Sequence, residues 1–136
     1  MFETFDHTAD LGLRVRTKDL DCLFREAAEA LISILVENTA TIEPRVKLEL
    51  HLESDDLAYL LFDWLREILY RFDGESDLLG RFDVHVIGTT LTATAWSEPV
   101  DRTKHVLAHE VKAITYHGLR VEQTDDGWLA EVIVDI

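Results

Sequence analysis

Asp10, Asp135 and the α-carboxylate of Ile136 are three oxygen-bearing acids carried by two stretches that read as strands. A strand that ends on its own carboxylate leaves that charge where the sheet leaves it, and Asp135 sets a second hard donor beside it. If the strand carrying Asp10 lies alongside, three carboxylates converge. Like charges that close require a cation or a raised pKa. The same residues admit a plainer reading, a solvated terminus and an aspartate in a turn.

Other chemistries find less support. The sequence has no Gly-x-Ser-x-Gly elbow, no cysteine with an obvious base, and no glycine-rich phosphate loop before a lysine. It has neither a CxxC nor an HExxH zinc pattern. His7, His105, His109 and His117 lie in separate segments, so only folding can bring them together as a transition-metal site. His51 sits on the polar side of an alternating strand and is discounted as a ligand. Cys22 is the single cysteine, which removes any internal disulfide and any need for an oxidising compartment.

The net charge of −14 over 136 residues argues against tight RNA binding by this chain alone. It favours a basic partner or a cation instead. From Arg102 to Arg120, however, four Lys or Arg and three His face only one acid, Glu110, so this stretch suits a phosphate or an acidic partner. The amino-terminal residues lack the basic start and apolar stretch of a secretion signal, and the run Ala30 to Val36 is far too short to cross a bilayer. These features predict a cytoplasmic protein that does not enter a membrane.

The elements that must position the acids are legible as patterns. Leu11, Leu13 and Val15 alternate with Gly12, Arg14 and Arg16, a half-buried strand directly after Asp10. Asp19 caps a helix whose apolar residues, from Leu20 to Leu35, recur at three- and four-residue steps. After Pro44, Val46, Leu48, Leu50 and Leu52 alternate with charged residues. Ser54-Asp55-Asp56 caps a second helix reaching about Phe72, with Gly74 as its stop. Trp64 and Tyr59 fit core and rim positions of this helix. Phe82, Val84 and Val86 lead through Gly88-Thr89-Thr90 into Leu91, Ala93 and Ala95. Glu98 to His109 reads as a long polar loop. Val111 to Glu122 and Trp128 to Ile136 flank the hairpin signal Thr124-Asp125-Asp126-Gly127. With no linker or repeat, residues 1–136 form one domain of the α+β class, a two-layer arrangement of mainly antiparallel sheet with two helices on one face.

Three motifs in register resemble the archease family: His7-Thr8-Ala9-Asp10-Leu11-Gly12, Lys104-His105 followed by Glu110-Val111-Lys112-Ala113-Ile114-Thr115-Tyr116-His117, and the closing Val134-Asp135-Ile136. The resemblance runs nearly end to end and includes both helices. One departure is Ser97, which stands before Glu98 where the family carries a glycine.

The resemblance implies a protein cofactor rather than a stand-alone enzyme. Its partner would be an RtcB-type RNA ligase, active in tRNA splicing and RNA repair, whose guanylylation and turnover it would promote. It implies a metal site of Asp10, Asp135 and the Ile136 carboxylate, with Lys112 as a further functional position. An all-oxygen donor set selects Ca²⁺ or Mg²⁺ over zinc. With this addition the convergent-acid reading is favoured. Lys112 either serves the partner or neutralises the acids, and His7 suits a hydrogen bond to a ligand carboxylate. Thr115, Tyr116 and His117 fit ordinary strand positions equally. Two other functions remain as alternatives, a metal-dependent phosphoesterase acting alone and a generic acidic chaperone or adaptor.

Overall fold

The computed structural model describes residues 1–7 and 10–136, the side chain of His7 excepted. Its order is β1 (Phe2–His7), β2 (Asp10–Thr17), α1 (Leu20–Leu35), β3 (Val46–Glu53), α2 (Leu57–Glu75), β4 (Asp77–Ile87), β5 (Thr90–Pro99), β6 (Ala113–Ile114), β7 (Arg120–Thr124) and β8 (Gly127–Asp135). Every named strand pair is antiparallel.

The α+β class is as expected, and the strands divide into two sheets. In the first, β8 is central, paired with β2 on one side and with β6 and β7 on the other, while β1 flanks β2. The second is β3-β5-β4. Both helices have neighbours in both sheets. That explains why α1 is buried over much of its circumference, including Phe24, Ala28, Leu31 and Leu35, instead of along a single stripe. The Trp64 indole N–H donates to the Phe24 carbonyl at 3.0 Å and ties the helices together inside the core. Asp19 caps α1 by accepting from the Cys22 N–H at 2.8 Å, and Asp56 caps α2 through the Tyr59 N–H at 2.8 Å.

Three local expectations are corrected. β1 is a full strand that the sequence reading did not assign. α2 runs through Gly74 and stops at Ser76, which takes the left-handed conformation with φ 52°. The stretch Val111 to Glu122 is two short strands rather than one, because Tyr116 to Leu119 forms a turn closed by the Leu119 N–H on the Tyr116 carbonyl.

The first sheet has two unlike faces. Leu11, Leu13 and Val15 pair with Val134, Val132 and Ala130, and all six are buried. Residues of the other parity form rows on the outer face. In one row Glu3, Arg14, Glu131 and Arg120 are joined by ion pairs of 3.2, 2.9 and 2.7 Å across four strands. In the next, Gly12 lies opposite Phe5 and Ile133. A Cβ on Gly12 would fall within the Phe5 ring, so the glycine lets that ring lie flat on the strand. The Arg14 guanidinium covers the same ring, 4.5 Å from its centroid.

Candidate functional site

The next row of the outer face carries the acids. Asp10 is the direct partner of Asp135 in the β2–β8 ladder, and Ala113 of β6 pairs with Asp135 from the other side. Residues directly opposite in an antiparallel pair share a face, with Cβ atoms roughly 4.5–5.5 Å apart. Both aspartates are half-buried. The Asp135 carbonyl also accepts the Lys112 N–H at 2.7 Å. Ile136 packs its side chain against the core, which holds the residue after Asp135 at the sheet end. The register thus delivers two side-chain carboxylates and places the Ile136 main chain next to one of them.

This donor set suits a hard cation in part. Among the described residues, no group of three or more His, Cys, Asp or Glu side chains stands ready to enclose a metal. Asp10 and Asp135 supply two side chains, and the third oxygen group is main chain. Such a set is an open half-shell whose remaining positions must come from water or from a bound partner. His7 pairs with Asp10 through the backbone, while its side chain lies outside the described residues, as do Thr8 and Ala9 of the same motif.

Lys112 is placed differently from the aspartates. Its side chain is exposed and borders a groove between α2 and β6 that also contains Phe62, Tyr70 and Asp73. The lysine forms no ion pair among the described residues, so it does not neutralise either aspartate by direct contact. Its hydrogen bond to Asp135 is made by the backbone N–H.

A second cluster was not visible in the sequence. Glu98, at the end of β5, is 3% exposed, and His105 is 1% exposed. Glu98 accepts from Lys104 Nζ at 2.8 and 3.0 Å and from the Glu43 N–H. Burial by itself would raise its pKa, but those donors and the nearby His105 outweigh it and hold the carboxyl below its ordinary value. Lys104 in turn reaches Glu43 at 2.9 Å. His105 Nδ1 accepts the Asp101 N–H at 3.0 Å. This cluster fastens the polar stretch after β5 to the turn before β3. His105 is therefore a buried structural group, and the candidate transition-metal set of histidines does not assemble among the described residues. The motif Lys104-His105 was the available signal; what it did not reveal was the burial of Glu98.

No helix among the described residues is long and apolar enough to cross a membrane. The sequence pattern of the Archease protein family matches residues 2–136. Protein archease of Methanopyrus kandleri is 37% identical over 139 residues, with 99% of each chain covered. Protein archease of Pyrococcus furiosus is 37% identical over 140 residues, covering 99% of this chain and 98% of the relative. The solution structure of a Methanobacterium thermoautotrophicum protein superposes with a TM-score of 0.86 at 34% identity, covering 99% and 98% of the two chains. A Thermotoga maritima crystal structure described as an archease and possible chaperone shares the fold, with a TM-score of 0.67 at 20% identity over 100% and 98%. With the match extending from Phe2 through the strand that ends on Asp135, this chain belongs to the archease family.

Proposed function

We propose that this protein is a non-catalytic cofactor of an RtcB-type RNA ligase in the cytoplasm, promoting guanylylation and repeated turnover of the ligase in tRNA splicing and RNA repair. The observation that carries the reading is the ladder register of Asp10 with Asp135 beside Ile136. It turns residues from distant parts of the chain into one acidic row at a sheet end. Asp10, Asp135 and the Ile136 carboxylate are the ligands proposed for Ca²⁺ or Mg²⁺. A bound cation of this kind would supply positive charge for a phosphate oxygen. The chain's own part is to hold the acids in place and present them to the ligase. The net charge of −14 favours association with a basic nucleotide-binding cleft over direct capture of RNA.

The deciding experiment is multiple-turnover ligation by the cognate ligase, with and without this protein. The expected result is a rise in turnover number and in guanylylated ligase, with no ligation or phosphate-ester hydrolysis by this protein alone. An unchanged turnover number across a titration would overturn the proposal.

A further inference from the structure

On the α2 side of β6, three aromatic rings meet. Tyr116 stacks on Phe62 with centroids 4.0 Å apart and planes at 15°, and stands edge-on to Tyr59 at 5.7 Å. Phe62 is buried, whereas Tyr116 and Tyr59 are 58% and 47% exposed. Phe62 also belongs to the α2/β6 groove, a space of about 270 Å³ bordered by Tyr70, Asp73 and Lys112. Stack and groove thus share Phe62. Single exposed apolar residues are ordinary. A tyrosine stacked on a buried ring, as Tyr116 is on Phe62, is different, because it offers amphipathic contact area with less rotamer entropy left to lose.

The position and charge of this surface indicate what covers it. Tyr116 follows Ala113 by three residues, so their Cα atoms are at most about 11 Å apart. Ala113 is the ladder partner of Asp135. Tyr116 thus continues the chain of the strand that borders the acidic row, with its ring on the helix side of the sheet against Phe62 and the acids on the outer face. Around Tyr59 stand Asp55, Asp56 and Asp63, the last one helical turn onward on the same side. At the far end, Asp73 has no ion pair among the described residues, and burial together with Glu110 pushes its pKa up. Arg66 and Lys112 supply positive charge only along the groove between these ends.

We propose that the Tyr59–Phe62–Tyr116 surface docks a basic patch of the RNA ligase, whose guanidinium or ammonium groups lie over the tyrosine rings. The inference rests on the ligase reading above and adds a surface to it. Aromatic faces attract cations, and neighbouring carboxylates reinforce that preference.

The test measures ligase binding by wild type, Tyr116→Ala and Tyr59→Lys, with the calcium-dependent melting shift of each recorded alongside. Both variants should bind roughly tenfold more weakly or worse, the range expected at an interface anchor. Tyr59→Lys should lose most at low salt, where it sets one cation against others. Both should keep the calcium shift, since neither residue adjoins Asp10 in the ladder. Tyr59→Lys alters an exposed side chain and decides the matter if Tyr116→Ala fails to fold. Wild-type affinity in Tyr59→Lys would overturn the docking surface and leave the ligase reading standing. So would variants whose loss is confined to RNA binding or self-association, or is matched by loss of the calcium shift. Failure of wild type to bind the ligase would overturn both.

Discussion

Glu98 Oε2 and His105 Nε2 face each other 3.5 Å apart, both inside the protein. Because His105 Nδ1 accepts the Asp101 N–H, the neutral ring carries its proton on Nε2, toward the carboxylate. The pair, with Lys104, gives the protein a buried electrostatic fastening.

That fastening predicts an acid-sensitive stability. Glu98 is held below its ordinary value of 4.5, so its contribution is fully present above that pH and is lost as pH falls through the lower folded-state value. Glu98→Gln should cost about 2–3 kcal/mol at neutral pH, the scale of hydrogen bonds to a charged group. It should also flatten the fall in stability below the ordinary carboxylate range. Urea unfolding of both proteins across an acid pH series checks this, and parallel curves would show that another group governs the acid limb.

For the metal proposal, Ca²⁺ or Mg²⁺ should raise the melting temperature of wild type, since a ligand of the folded state alone stabilises it. Asp10→Asn and Asp135→Asn should each remove most of that rise. In the absence of metal, Asp135→Asn should melt no lower than wild type, because it relieves repulsion across the ladder. Calorimetry finding equal calcium binding in wild type and Asp135→Asn would exclude Asp135 as a ligand.

The main-chain carboxylate needs its own test. A peptide extension after Ile136 replaces the charge with a neutral carbonyl, whereas an extension before Met1 leaves it intact. The carboxyl-terminal fusion should fold yet lose much of its calcium shift and ligase stimulation, and the amino-terminal fusion should keep both. Equal behaviour of the two would remove Ile136 from the ligand set.

Lys112→Ala should lower ligase stimulation while changing stability by no more than about 0.5 kcal/mol, as is usual for an exposed side chain without partners. Its exposed position on the groove and its lack of an ion pair among the described residues are the reasons. A cooperative unfolding curve shifted well beyond that range would assign the lysine to the fold instead.

Gly127→Ala tests the hairpin. Gly127 has φ 157°, and a Cβ there would run into the Thr17 carbonyl oxygen and the Lys18 Cα, backbone that cannot swing aside. A loss of about 1–3 kcal/mol is expected, read as a lower denaturation midpoint with an unchanged slope.

Periodicity made much of the fold legible. The alternation of Leu48, Leu50 and Leu52, the spacing in α1 and α2, and the Asp125-Asp126 turn all locate their elements. Local pattern could not say that β3, β4 and β5 form their own sheet, because sheet membership depends on pairing between distant strands. β1 is not legible as a strand because Phe2, Glu3, Thr4, Phe5 and Asp6 mix charge and ring without a clean apolar side. Gly74 suggested a helix stop, but helical contacts carried the chain on to Ser76. At the site, Asp10 and Asp135 were legible as types, and the register that joins them is a property of the folded ladder. Burial of Glu98 was illegible for a related reason: a glutamate in a polar stretch has the same letters whether its partners are water or Lys104.

Asp135 is bonded into ladders on both sides, to β2 and to β6. Its acidic row therefore cannot close like a jaw on whatever it meets. The ordering entropy of that row is spent once, when the chain folds, and is not spent again at each encounter. After release, the same face is ready for the next molecule without any resetting step. In the role proposed above, service to many turnovers of another catalyst, that permanence would leave any large movement during engagement to the partner.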